Sequence, residues 1–442
     1  MPHTTDFKSL FRNHIAQLSS GYAAALHATG WDAVVIHSGT LPKRSQFDDQ
    51  YGSLRAVPHF QQWLPLAEPD CALVIVPGRQ PVLHRLEAFS FWEAPAPLDA
   101  PHVWPQFDVH GVHRAEDVRA FLPAGRVAWI GEDRVRAASW GLEDAAQNPP
   151  ALLRHLDALR VHKSAYEIAC LAEANRRAMP GHNALRDAFA NGDASELELH
   201  LAYLKATQQD DPETPYKNIV AIGPNAATLH HIAYGRSPTG AGSLLVDAGA
   251  TCWGYASDIT RTWTRGAGDA AGLFAALVDG VDRLQQQLCA DVRVGLPYEE
   301  LHEQAHRYIT AVLRELGIFR CSADEALAHK FSRTFLPHGL GHSLGLQVHD
   351  VGCALVPPKA DNPWLRNTSV IAPRQVFTIE PGVYFINALL APLRQGPHAA
   401  LIDWQRVDAL VPFGGVRIED DLVVRDQGVR NLTRDLQETA EP

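Results

Sequence analysis

The apolar residues Phe7, Leu10, Phe11, Ile15, Leu18, Tyr22 and Leu26 recur at the spacing of one helical face, which predicts an amphipathic helix near the start of the chain. Short apolar runs follow at residues 33–36, 72–76, 81–86 and 127–130, each set off by turn-forming residues. Helix alternating with short strands predicts an α/β domain. Asn148-Pro149-Pro150 interrupts regular structure, and the first domain is drawn as residues 1–155. From Ser164 the pattern changes. Ser164-Ala165-Tyr166-Glu167 and Ser195-Glu196-Leu197-Glu198 are capping boxes, in which the serine hydroxyl and the acid three residues on satisfy each other's backbone N–H. Leu273, Leu277, Val281, Leu284 and Leu288 mark one further helix; Leu301, Ala305, Tyr308, Val312 and Leu316 mark another, closed by Gly317. Strand-like segments are threaded among these helices, which predicts an α+β domain over residues 156–442. The polar stretch after Asn431 is expected to fray.

Those strand-like segments carry acids where acids are costly. Residues 243–250 (SLLVDAGA) and 254–263 (GYASDITRTW) read as a hairpin turning at Cys252-Trp253-Gly254, with Asp247 on one arm and Asp258 on the other. Residues 375–385 (QVFTIEPGVYF) carry Glu380, and residues 414–424 (GGVRIEDDLVV) carry Glu419. A carboxylate among Val, Ile and Phe is unfavourable unless it is paired or binds a cation. Any one of these alone reads as a solvated strand end. Between them in sequence lies PHGLGHSLGLQVHD at residues 337–350, which places His338, His342 and His349 beside three glycines. Four acids with a histidine cluster point to a metal site. Asp247, Asp258, His342, Glu380 and Glu419 together suit two divalent ions: four carboxylates balance two charges of +2, and oxygen-rich ligation with one imidazole fits Mn²⁺, Co²⁺ or Zn²⁺. No Cys-x-x-Cys offers a closed structural zinc site.

Composition narrows the classes. A chain of 442 residues favours two domains. Its 46% hydrophobic and 20% charged content is that of a soluble globular protein. A net charge of −11 disfavours a nucleic-acid partner. No run approaches the roughly 20 apolar residues of a membrane span, and the opening residues lack the apolar core of a signal peptide. Cys71, Cys170, Cys252, Cys289, Cys321 and Cys353 form no spaced framework and read as reduced thiols, so a cytoplasmic location is expected.

The pieces LLVDAG, YASDITRTW, PHGLGHSLGLQVHD, VFTIEPGVYF and GGVRIEDD, in that order, resemble the pita-bread metallopeptidases. VVIHSG, FDDQYGS, HFQQWLPL and SFWE extend the likeness through the amino-terminal half, toward the prolidase branch that also includes the organophosphorus acid anhydrolases. The resemblance implies a creatinase/prolidase-like α/β domain followed by a pita-bread domain with a curved, mostly antiparallel sheet. It implies that Asp258 and Glu419 bridge two ions, Mn²⁺ foremost, with Asp247 completing one and His342 and Glu380 the other. Such pairs acidify a water and polarise a carbonyl. Glu380 doubles as the proton shuttle, while His230, His338 and His349 bind substrate and stabilise the tetrahedral intermediate. The family has tyrosine after the first of these histidines where this chain has His231; His230 is preferred because it follows Leu229. Arg366 matches the arginine that clamps a terminal carboxylate. Arg417, two residues before Glu419 and so on the same strand face, matches a residue that orients ligands. Tyr216 matches an active-site tyrosine. Asp48 (or Asp49) and Trp92 match positions that reach the neighbouring subunit's site, which implies a functional homodimer.

The implied activity is hydrolysis of Xaa-Pro dipeptides, with organophosphate triesters as promiscuous substrates. Aminopeptidase P, acting on longer peptides with the same ligands, is the enzyme alternative. A non-catalytic binding module is the alternative from another class, disfavoured because all five ligand types are present. Neither nucleic acid nor membrane is expected as a partner.

Overall fold

The computed structural model describes residues 6–87, 100–192 and 194–436; Trp92 lies outside the described residues. Two compact units divide the chain, Met1–Ala169 and Cys170–Pro442. In the first, the amphipathic helix runs Phe7–Thr29, opened by the Asp6 carboxylate, which accepts from the Ser9 N–H, and closed by Gly30 in the left-handed conformation. Strands β1 (Ala33–His37), β2 (Ala72–Ile75), β3 (Val82–Leu86), β4 (Asp108–Val112) and β5 (Val127–Ile130) form one sheet in the order β4-β3-β2-β1-β5. β1 runs parallel to β5 and β3 to β4, while the β1–β2 and β2–β3 pairs are antiparallel. β1, β2 and β5 are buried at every residue, so they read as unbroken apolar runs. β4 (DVHGV) is an edge exposed at all but its last residue, and its sequence carries no apolar signal.

Both capping boxes form. The Ser164 N–H donates to Glu167 and the Glu167 N–H to Ser164 Oγ at the head of helix Ala165–Asn191; Ser195 and Glu198 repeat this before helix Glu196–Thr207. Helices Asp269–Asp291 and Tyr298–Glu315 bury Leu277, Val281, Leu288, Leu301, Ala305 and Leu313 in the main core of the second unit. Beside them, β6 (Ile219–Ile222), β7 (Ser243–Asp247) and β10 (Thr260–Thr264) form an antiparallel sheet ordered β10-β7-β6. Between β7 and β10 the chain makes the short ribbon β8 (Thr251–Cys252) and β9 (Tyr255–Ala256). It turns at Trp253 and Gly254, whose φ angles of 48° and 88° give the two-residue left-handed turn that suits hairpin twist.

The remaining strands are β11 (Val376–Ile379), β12 (Gly382–Tyr384), β13 (Gly415–Arg417), β14 (Asp420–Val424) and β15 (Val429–Asn431), paired antiparallel as β11-β14-β15 and β12-β13. A bridge between Thr260 and Glu419 stitches the two three-stranded sheets together, and one between Ser343 and Phe377 holds the histidine segment against β11. The runs at 375–385 and 414–424 are therefore not continuous strands. Each breaks in the middle, and Glu380 and Glu419 sit at the breaks. The expected fraying after Asn431 is corrected for residues 432–436: Leu432 and Thr433 are buried, and Arg434 donates to Asp420 (2.5 Å) and Asp282 (2.6 Å); residues 437–442 lie outside the described residues. Among the described residues no helix is long and apolar enough to cross a membrane.

Candidate metal centre

Strand register places the acids. Asp247 pairs opposite Thr260 across the β7–β10 ladder, and Thr260 is bridged in turn to Glu419, so the three lie in one row across adjacent strands. Asp258 precedes Thr260 by two residues and Arg417 precedes Glu419 by two, and a period of two puts both on the face of that row. The histidine segment reaches this face through close backbone contact. The His342 N–H approaches Thr378 Oγ1 (3.2 Å) and the Thr378 N–H donates to the His342 carbonyl (2.9 Å).

His342 Nε2 ends 3.4 Å from Asp258 Oδ2, 3.8 Å from Glu380 Oε1 and 4.0 Å from Glu419 Oε1. Donors each about 2.1 Å from a common ion stand roughly 3–3.5 Å apart, so these separations are those of ligands slightly opened around a cation. Asp258, His342 and Glu419 meet as a buried trio able to hold one ion. Asp247 joins by register, and its charge and that of Asp258 oppose each other. Its Oδ2 accepts from Arg417 (2.6 Å), while its Oδ1 is buried with no hydrogen-bond partner among the described residues.

The charges of this cluster are mutually strained by burial. Burial pushes Glu380 up to about 7 and Asp247 up to about 6, the latter helped by the Asp258 charge. Burial, then Asp258 and Glu380, drive Glu419 well above the carboxylate range. Burial works against the charge on His342, but Asp258 and Glu380 outweigh it and raise the imidazole to about 9. Asp258 stays low despite burial because His342 and the Tyr216 hydroxyl, which donates to its Oδ1 at 2.6 Å, both favour the anion. Without a cation, protons must neutralise this cluster. A divalent ion supplies the missing charge, and the donor set fits one.

Of the supporting groups, only Arg417 and Tyr216 were apparent in the sequence. Arg417 commits all three guanidinium nitrogens here: to Asp247, to Tyr384 Oη (2.9 Å) and to Thr260 Oγ1 (3.1 Å). Thr260 Oγ1 donates to Glu419 Oε2 (2.6 Å), and Asp421 accepts from the Asp258 N–H (3.0 Å) and from Asn175 (2.8 Å). Because Arg417 can only donate, the Tyr384 hydroxyl directs its own proton to His338 Nε2, 2.9 Å away. His338 Nδ1 then donates to the Gly339 carbonyl at 2.7 Å, so both its nitrogens are engaged. Thr260, Tyr384 and Asp421 lie inside the quoted motifs with no role legible there, and Asn175 lies in none; only the fold shows what they hold.

Among the other expected residues, His349 stands edge-on to His342 with ring centroids 4.4 Å apart. Arg366 is exposed, and its charge lowers the basicity of His349. His230 is exposed, and its charge acts on both His338 and His349, whereas His231 is held by Glu196 at 2.9 Å. Asp48, in the first unit, accepts from the Gln50 N–H at 2.9 Å within a turn.

An antiparallel framework presenting a buried carboxylate–imidazole cluster defines a protein able to hold a divalent cation. The family described as metallopeptidase family M24 matches residues 169–426, and the one described as the Xaa-Pro dipeptidase N-terminal domain matches residues 9–158. The chain is 39% identical to a protein named Xaa-Pro dipeptidase from Pseudoalteromonas atlantica, over 97% of this chain and 98% of that one. A protein of the same name from Edwardsiella ictaluri is 40% identical over 97% and 98%. The chain belongs to metallopeptidase family M24. Among solved structures, Escherichia coli aminopeptidase P with the inhibitor Pro-Leu superposes with a TM-score of 0.72 at 22% identity, over 98% of this chain and 96% of that one. Pseudomonas aeruginosa aminopeptidase PepP gives 0.73 at 23%, over 100% and 97%. These two establish the fold: an α/β amino-terminal domain followed by a pita-bread catalytic domain.

Proposed function

We propose that this protein is a metal-dependent dipeptidase that hydrolyses Xaa-Pro dipeptides with two divalent ions, Mn²⁺ foremost. The observation carrying this is the convergence of Asp258, Glu380 and Glu419 on His342 Nε2 in a chain about 40% identical, end to end, to proteins named Xaa-Pro dipeptidase. Asp247, whose Oδ1 accepts no hydrogen bond within the geometric limit among the described residues, is assigned as the fifth ligand. When bound, the ions supply an acidified water and a Lewis acid for the scissile carbonyl. Glu380 is assigned to carry the proton from that water to the leaving proline nitrogen. His349 and His230 are assigned to the substrate side. His338, with both nitrogens engaged, orients that wall through Tyr384. Arg417 holds Asp247 rather than substrate, and Arg366 is assigned to the terminal carboxylate. A cytoplasmic homodimer in which Asp48 and Trp92 serve the neighbouring site, with side activity on phosphotriesters, completes the reading.

The test is a panel of Ala-Pro, Ala-Pro-amide and Ala-Pro-Ala on chelated protein reconstituted with Mn²⁺, Co²⁺ or Zn²⁺. Ala-Pro should be strongly preferred, and Arg366→Ala should lower kcat/KM for Ala-Pro far more than for the amide. Equal cleavage of Ala-Pro-Ala would replace the dipeptidase with an aminopeptidase P.

A further inference from the structure

The loop over residues 223–235 carries His230, and one buried carboxylate holds that loop near its start, at its middle and at its end. Glu196, 2% exposed, accepts on Oε1 from the Ile222 N–H (2.9 Å) and from Asn225 Nδ2 (2.8 Å). On Oε2 it accepts from the Gly235 N–H (2.7 Å) and from His231 Nε2 (2.9 Å). The Leu197 N–H returns a bond to the Gly235 carbonyl at 3.1 Å. Four donors use the full acceptor capacity of one carboxylate. Burial works against the charge on Glu196, and these bonds outweigh it, so its carboxyl sits below its ordinary value.

Helix formation does not account for this residue. Ser195 and Glu198 already close the start of helix Glu196–Thr207 as a capping box. Glu196, first in that helix, serves the loop instead. The loop in turn holds His230 between two anchors: Leu229 packs against the main core, and His231 is tied to Glu196. With both chain neighbours held, His230 is left exposed, where its charge reaches His338 and His349.

We infer that Glu196 is a positioning residue: through His231 and the loop backbone it sets where His230 stands against substrate. This rests on the substrate role assigned to His230 above. Glu196→Gln puts an NH₂ in place of one carboxylate oxygen, so two of the four donors lose their acceptor whichever way the amide lies. Its kcat/KM on Ala-Pro should fall by about tenfold or more, while in a His230→Ala background the same change should cost less than about twofold. A fall of equal size with and without His230 overturns the inference, because a merely structural role for Glu196 does not depend on His230. Crystals of parent and variant give a second readout that needs no peptide. His230 should be displaced by about 1 Å or more, a misplacement large enough to slow catalysis. Should the parent leave Ala-Pro uncut, the dipeptidase reading falls, and the crystals alone decide on Glu196: an unmoved His230 overturns the inference. Where Glu196→Gln does not fold, His231→Phe, which removes one of the four bonds, goes through the same cycle and crystal comparison with the same outcomes expected.

Discussion

Arg417 is 4% exposed and fully enclosed by partners that only it can serve together. Its three nitrogens hold a carboxylate, a phenol and a threonine hydroxyl at fixed angles, which a single ammonium could not do. Arg417→Ala would leave Asp247 buried without its counter-charge. Breaking such a pair costs about 3–5 kcal/mol, read from urea unfolding of the metal-free protein, and Arg417→Lys should recover only part of it. A loss under about 1 kcal/mol would mean Asp247 finds other support. Asp258→Asn tests the ligand assignment itself. The amide oxygen can still accept from Tyr216, so the fold should persist by circular dichroism. Mn²⁺ retained after dialysis and Ala-Pro turnover should both collapse. Wild-type turnover at limiting Mn²⁺ would remove Asp258 from the ligand set.

At the scale of elements, the histidine segment is positioned by how closely its backbone approaches its neighbours. A Cβ on Gly341 would lie 2.2 Å from the Thr378 carbonyl and 2.4 Å from Tyr298 Oη, neither of which can yield cheaply. Gly341→Ala should therefore shift His342, weaken metal retention and lower Tm. Gly272→Ala, within helix Asp269–Asp291 and with nothing within 4 Å, should instead be neutral or stabilise by up to about 1 kcal/mol. Equal Tm changes in the two would show that the close approach does not matter. This contrast also explains what the sequence could reveal. The hairpin and its two aspartates were legible because alternation, aromatic content and a glycine turn agree over 243–263. The capping boxes were legible because serine and glutamate at that spacing have one local use. The break beside Glu380 was legible from Pro381-Gly382; the one at Glu419 was not, since apolar residues continue on either side and only the bridge between Thr260 and Glu419 shows where the strand bends away. Edge strand β4 and the support from Tyr384, Thr260 and Asn175 were hidden for the same reason: their partners lie far along the chain.

For the molecule as a whole, the cluster couples stability to pH in a direction set by which way each group is shifted. Burial raises Asp247 from 3.8 to about 6 and Glu380 from 4.5 to about 7. A carboxyl raised on folding contributes stability that is complete below its unfolded pKa and is lost as pH climbs through the folded one. His342 is raised from 6.5 to about 9 by its carboxylate neighbours, against burial, and so behaves the same way over a higher range. Asp258, held low, runs opposite, but only below about pH 4, where its unfolded counterpart titrates. Below about pH 6.5 the buried neutral histidines run the other way, His338 held down to about 3 and His349 to about 4 mainly by burial, so the chelated protein should lose Tm between pH 7 and pH 8, where His342 still titrates. Metal reverses the trend. Divalent ions compete with protons for the same oxygens, and binding to the native state alone adds RT ln(1 + [M]/Kd), so the gain in Tm from a fixed Mn²⁺ concentration should grow from pH 5 to pH 8. Scanning calorimetry with and without chelator at four pH values measures both slopes at once. A chelated protein whose Tm rises from pH 7 to pH 8 would show that His342 carries no proton for its carboxylate neighbours. A gain from Mn²⁺ that does not change with pH would place the ion away from Asp247, Glu380 and His342.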